Sequence, residues 1–338
     1  MSWTSRIVGV VVAAASTVAA VFSLALAQDA ITLKVSHFLP PNHTFQKQLV
    51  AWGDELNQMS HGRLKLQIYP AAQLGPVNRQ YDMARNGIVD ISVVLQGATP
   101  GRFPMSELIS LPYIHPSAGS SSEIASRRLT ELAPKYLASE NPGVKILWMN
   151  VTNPLLFFTT KQPLNMLADF KGLRIRYAGK QFADIITRLG ATPLAVPPAE
   201  TQDSLAKGII DGATFPYEAA KSFDLGTVVK YSLEPGVSSA TFGIVMNKSK
   251  YDALPADLRG LIDKTTGPDR AAIVGKAFDA AEKAGRDYMV AKHVKIIEMG
   301  EAELAATKNA VAPVTAAATS ALDKSGKPAS AFLSAYEK

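Results

Sequence analysis

Two arginines in Gly172-Leu173-Arg174-Ile175-Arg176-Tyr177 are the residues of this chain best suited to hold an anion. Arginine presents a planar fork of N–H donors that meets a carboxylate with two parallel bonds. Leu173, Ile175 and Tyr177 alternate with the two arginines, the two-residue period of a short strand. Gly179 then breaks the strand, and Ala183, Ile185, Ile186 and Leu189 follow helical spacing up to Gly190, a helix stop. Arg176 therefore falls at the carboxyl end of a strand, where α/β sheets bind their ligands. Spacing alone leaves a plain surface role open for both arginines, because arginine is mostly exposed.

No residues for covalent or metal chemistry accompany them. The chain has five histidines and no cysteine, and no pair of histidines has His-x-x-x-His spacing. A Gly-x-Ser-x-Gly elbow and a phosphate-binding loop are both missing. An enzyme, a metal centre and a cofactor are not expected. The net charge is +6, with lysines and arginines scattered along the chain. That pattern argues against nucleic acid and suits an anionic ligand.

The elements that must position Arg176 follow from periodicity and punctuation. Arg6, the apolar run Ile7 to Leu26 and the small-x-small site Ala25-Leu26-Ala27 read as a cleaved export signal, residues 1–27. The mature chain is expected to be soluble. Ile31 to Ser36, Leu64 to Ile68 and Ile91 to Leu95 read as strands, separated by a helix ending at Gly62 and another ending at Gly87. Asn42 or Thr44 is the expected cap of the first of these helices. This β-α-β-α-β order predicts a parallel sheet with helices on its faces. A helix over about 118–138 and strands at Val144 to Met149 and Leu155 to Thr160 follow. Then come the arginine strand, its helix, and strands at Thr192 to Val196 and Ile209 to Thr214. Thr241 to Met246 is a further strand, and one long helical region is expected from Leu254 to about Lys292.

The expected fold class is α/β, with two lobes, a hinge between them and a long helix spanning both. Residues 28–150 form the first lobe, joined by about 241–280. Residues 151–240 form the second lobe and carry the arginine, joined by about 281–338.

Several short signals recur in one order: Gln73-Leu74-Gly75, Gly87-x-x-Asp90, Leu111-Pro112-Tyr113, Asp169-Phe170-Lys171-Gly172-Leu173-Arg174-Ile175-Arg176, Leu189-Gly190-Ala191-Thr192-Pro193, Glu200, and Gly208-Ile209-Ile210-Asp211-Gly212. The ordered set resembles the substrate-binding proteins of tripartite ATP-independent periplasmic (TRAP) transporters, the DctP-like family. The resemblance covers essentially the whole mature chain. It implies a periplasmic protein that closes on a small organic acid anion and delivers it to a two-subunit membrane permease. It also implies that Arg176 is the carboxylate anchor. A sensor that docks on a receptor is the alternative from another class.

The chain departs from the family pattern at two places. Sialic-acid-type members carry a second arginine about twenty residues before the anchor, where this chain has Leu156. Many members follow Asp-Gly with Glu-Asn or Glu-Trp, where this chain has Thr214-Phe215. The departures imply an apolar pocket around one cationic fork. Leu156, Phe157, Tyr177, Phe215 and Tyr217 are expected to wall it from the second lobe, and His37, Phe38, His43 and Gln96 to cover it from the first. The expected ligand is an aromatic or apolar monocarboxylate, with a short aliphatic 2-oxo or 2-hydroxy acid as the alternative.

Overall fold

Residues 30–116 and 121–338 are described in the computed structural model of the chain. The expected export signal lies outside them. Elements are numbered in chain order. The first half supplies β1 (Ile31–Ser36), α1 (Thr44–Met59), β2 (Leu64–Tyr69), α2 (Gln80–Arg85), β3 (Ile91–Leu95), α3 (Ser122–Tyr136) and β4 (Val144–Val151). Next come β5 (Leu155–Thr159), β6 (Arg174–Tyr177), α4 (Lys180–Arg188), β7 (Thr192–Ala195), α5 (Thr201–Ala206), β8 (Gly212–Phe215), α6 (Tyr217–Ser222) and β9 (Tyr231–Ser238). The chain ends with β10 (Thr241–Asn247), α7 (Lys248–Asp252), α8 (Ala256–Thr265), α9 (Pro268–Ala291), β11 (Lys295–Glu298), α10 (Glu301–Lys324) and α11 (Ala329–Glu337).

Two sheets result. One has the order β2-β1-β3-β10-β4 and the other β11-β9-β5-β8-β6-β7. The first three strands are parallel, as their helical crossovers require. β10 arrives from the second sheet through Ser239 and Ala240 alone and runs antiparallel to β3 and β4. In β1 the alternation is visible as buried Leu33 and Val35 around exposed Lys34. Every residue of β3, β5 and β10 is buried, which marks strands covered on both faces. Trp52 of α1 meets Trp148 of β4 edge to face with ring centroids 5.3 Å apart, in the core beneath the first sheet.

α9 ties the halves together. Asp279 accepts the backbone N–H groups of Ser122 and Glu123, at the start of α3 beside the first sheet. One turn on, Glu282 accepts the N–H groups of Tyr217 and Glu218, at the start of α6 beside the second. Each carboxylate satisfies otherwise orphaned donors at a helix N-terminus, so one helix carries caps for both lobes.

Some local expectations change. α1 is capped by His43, whose Nδ1 accepts the Phe45 N–H at 3.1 Å, and not by Asn42 or Thr44. The long helical region is broken between α8 and α9 at Gly267, with φ +85°, followed by Pro268, which has no N–H to give. The long helix starts only there. β9 and β11 are additional strands. β9 contains Pro235 and Gly236, which hide a strand from periodicity.

Candidate functional site

β6 ends at Tyr177, and Gly179, at φ +100°, turns the chain into α4. That conformation is costly for any residue with a Cβ. It brings the end of β6 to the cleft between the two sheets. Arg176 is buried. Its Nε donates to the Val196 carbonyl at 3.1 Å and its Nη1 to the Thr214 carbonyl at 3.0 Å. These use two of the five N–H donors of a guanidinium. Its plane lies over the Phe215 ring, 4.2 Å from the centroid. Among the described residues no carboxylate pairs with it, and burial alone pushes its pKa down to about 9. The group is thus a buried cation at neutral pH that lacks a counter-ion, a state an incoming anion relieves.

Arg174, two residues earlier, has the opposite fate. Its Nε and Nη2 bind the two Asp211 oxygens at 2.9 Å each, and its side chain is partly exposed. The same strand therefore carries one arginine that is satisfied at the surface and one that is unsatisfied in the cleft.

The cleft has two compartments. A cavity of about 440 Å³ is bordered by Phe38, Val77, Tyr177, Ala195 and Pro197, among others. This lies in the usual range for small-molecule sites, ~300–1,000 Å³. A small chamber of about 40 Å³ adjoins it. Phe38, Leu95, Arg176, Ala178 and Pro198 belong to both walls, so both sheets contribute and Arg176 stands between the compartments. Phe215, Phe223, Phe242 and Phe278 make the chamber largely aromatic, and His43 and Glu218 are polar groups in its wall. The lobes touch beside the larger cavity, where a Cβ on Gly97 would fall 2.8 Å from Gly179 Cα.

Of the side chains expected at the ligand, Arg176, Phe38, His43, Phe215 and Tyr177 line this cleft. The other five border neither compartment. Leu156 is buried in a second-lobe core cluster, opposite Phe215 in the β5–β8 ladder. Phe157 packs edge to face on Phe170, centroids 5.0 Å apart. The Tyr217 hydroxyl is spent on Ser232 Oγ at 2.7 Å and Glu234 Oε1 at 2.8 Å. Gln96 donates to Ser106 Oγ at 3.0 Å inside the first lobe. His37 is fully buried against Gln46, and desolvation lowers its pKa to about 4. The aromatic wall from Phe223, Phe242 and Phe278, and the carboxylate of Glu218, leave no signal in the sequence. They come from α6 and the residue after it, from β10 and from α9, and carry no motif.

A cleft between two lobes with a buried cation in its wall is the arrangement of a solute-binding protein, the class to which both the matching family and the similar solved structures belong. The chain belongs to the bacterial extracellular solute-binding protein family 7, the DctP family, which it matches over residues 35–321. A TRAP solute-binding protein from Rhodoferax ferrireducens T118, solved with copurified benzoate, is 30% identical. The likeness covers 91% of this chain and 96% of that one, with a TM-score of 0.86. A TRAP periplasmic solute-binding protein from Bordetella bronchiseptica, with bound (R)- and (S)-mandelate, is 28% identical. It covers 90% of this chain and 97% of that one, with a TM-score of 0.84. The C4-dicarboxylate-binding periplasmic protein DctP of Rhodobacter capsulatus is 24% identical over 92% of this chain and 93% of its own. Among the described residues no helix is long and apolar enough to cross a membrane.

Proposed function

We propose that the chain is a periplasmic binding protein that captures an aromatic or otherwise apolar monocarboxylate and delivers it to a two-subunit TRAP membrane permease. Arg176 carries this reading: it is a buried cation without an acidic partner, laid on Phe215 in a cleft walled by phenylalanines. A single carboxylate neutralises it, and the aromatic walls then take the body of the acid. Burying one phenyl ring removes on the order of 100 Å² of apolar surface, worth ~2.5 kcal/mol. A second carboxylate on the ligand finds no second free cation among the lining residues, and burying it unpaired costs several kcal/mol. The benzoate and mandelate ligands of the two similar structures support the same class.

The test is a thermal-shift screen of organic acids followed by calorimetry. A ligand at a hundred times its Kd raises stability by ~2.7 kcal/mol, which is readily seen. Benzoate, phenylacetate or mandelate is expected to bind at least about tenfold tighter than succinate, malate or sialic acid, as the ring term allows. A C4 dicarboxylate or a sialic acid as the tightest ligand overturns the reading.

A further inference from the structure

We propose that Tyr177 is a specificity-determining residue whose hydroxyl hydrogen-bonds a hydroxyl on the aromatic ring of the bound acid, away from the carboxylate. This rests on the aromatic-monocarboxylate reading and narrows it to ring-hydroxylated members of that class.

The polar side chains that border the cavity of about 440 Å³ are Asn78, Arg176, Tyr177 and Glu200, set among Phe, Leu, Val, Ala, Pro and Gly residues. Asn78 and Glu200 are exposed to solvent, whereas Arg176 is buried and Tyr177 half-buried. Pockets of this kind fix a ligand's orientation with a small number of polar groups. Arg176 takes the carboxylate, which leaves Tyr177 as the inner group that can read the rest of the molecule.

The Tyr177 hydroxyl is free to do so. It makes no hydrogen bond among the described residues, and unlike the enclosed hydroxyls of Tyr113 and Tyr336 it keeps an open surface. A ligand atom can therefore reach it. The Tyr217 hydroxyl, held by Ser232 and Glu234, has no such freedom. The Tyr177 ring itself is packed. It lies against the cluster that holds Phe38 and Leu95 of the cavity wall, and against the one that holds Ile175 and Ile185. That packing places the hydroxyl before a ligand arrives, which lowers the cost of binding.

The position of the hydroxyl selects its partner. Tyr177 is the last residue of β6 and is registered on Ala195 of β7, which also borders the cavity. Successive residues of a strand point to opposite faces, so Arg176 and Tyr177 approach the ligand from different sides. A hydroxyl on the carbon beside the carboxylate stays with Arg176, and one further round the ring meets Tyr177. A tyrosine O–H both donates and accepts, so it pairs with a phenolic O–H in either direction. A second carboxylate there would be buried with no cation to meet it, and an ammonium would add a cation beside Arg176. A neutral hydroxyl avoids both penalties.

Calorimetry on the mature protein tests this with benzoate against 2-, 3- and 4-hydroxybenzoate, and phenylacetate against mandelate. In the wild type, 3- or 4-hydroxybenzoate should bind roughly fivefold tighter than benzoate, as a neutral hydrogen bond provides. The hydroxyls of 2-hydroxybenzoate and mandelate should bring no such gain. Tyr177→Phe removes one oxygen and keeps the packed ring. In that variant the ratio should fall to about one or below, because the ligand hydroxyl is then buried unpaired. A merely structural role would weaken benzoate and hydroxybenzoate alike and leave the ratio unchanged. A wild-type ratio at or below one for both the 3- and 4-isomers, a gain confined to 2-hydroxybenzoate or mandelate, or a ratio that persists in Tyr177→Phe overturns the inference, while the benzoate affinity leaves the broader reading standing. Failure of every aromatic acid to bind the wild type removes both.

Discussion

The Arg176 guanidinium lies 4.2 Å from the centroid of the Phe215 ring. The two residues come from adjacent strands, with Arg176 registered on Ala213 and Phe215 two positions further along β8, on the same face. The stack and the two carbonyl bonds set the plane of the fork before any anion arrives. Such pre-organisation lowers the cost of binding.

Arg176→Ala should weaken binding of an aromatic acid by ~2–5 kcal/mol, the usual loss on truncating a buried hydrogen-bonded charge pair. A micromolar ligand would then bind at tens of micromolar or weaker. Arg176→Lys keeps the charge but loses the planar fork and should recover only part of the affinity. Calorimetry decides this, and an alanine variant as tight as wild type would remove Arg176 as the anchor.

Phe215→Leu keeps an apolar side chain but removes the ring face beneath the guanidinium. The stack is already present without ligand, so losing a desolvated cation–π contact, worth ~2 kcal/mol, falls on the stability of the ligand-free protein. Affinity for benzoate should drop only by what the lost orientation of the fork costs, about fivefold. The ligand-free variant should melt below wild type, and calorimetry should show the weaker binding. A lower melting temperature with unchanged affinity would make Phe215 a packing residue only.

Gly97→Ala tests closure. A Cβ at Gly97 would meet the Gly179 backbone of the other lobe at 2.8 Å. Overpacking costs ~1–3 kcal/mol, and here it falls on the closed state. Affinity should therefore drop at least about fivefold while the ligand-free protein melts as before. X-ray scattering of the saturated variant should show a less compact particle than the saturated wild type. Identical curves and affinities would mean that this contact does not limit closure.

Arg174→Ala separates the two arginines. Binding should change by no more than about twofold, as for a substitution outside the site. Its effect is on acid stability. Asp211 is held below the ordinary carboxylate value, first by the hydrogen bonds from Arg174. A depressed carboxylate stabilises the fold above its unfolded value, 3.8, and loses that contribution as pH falls through the folded one. The variant should therefore unfold at a higher pH than wild type in an acid titration followed by circular dichroism. Coincident titrations would show that the pair contributes nothing.

Glu107 predicts the opposite slope in another pH window. It is buried near the Lys180 backbone at the start of α4 and near Glu140, and burial raises its pKa from 4.5 to about 7. A raised acid contributes its full stability below 4.5 and loses it as pH rises through about 7. Glu282 is raised to about 7 by burial too and adds to the same trend. The wild-type melting temperature should fall between pH 5 and pH 8, and Glu107→Gln should reduce that fall. An unchanged slope in the variant would exclude Glu107 as a source.

The strand–glycine–helix syllable around Arg176 was readable along the chain because it is local. Alternation of Leu173, Ile175 and Tyr177, Gly179 at a left-handed turn and Gly190 at a helix end all act within a few residues. The α/β class was readable for the same reason. The walls of the cleft were not. β5 is buried on both faces, so the alternation of Leu155 to Phe158 cannot say which side chains meet the cleft and which fill a core. The fold turns Leu155 to the chamber and leaves Leu156 and Phe157 in packing. Arg174 and Arg176 are likewise equivalent by type and period. Asp211, 37 residues on, pairs with one and leaves the other free. Phe223, Phe242, Phe278, His43 and Glu218 meet only because α9 and the short connections between β4 and β5 and between β9 and β10 bring the two halves of the chain together. Contacts of that range depend on how buried surfaces pack in three dimensions, and periodicity along one strand or helix carries no trace of them.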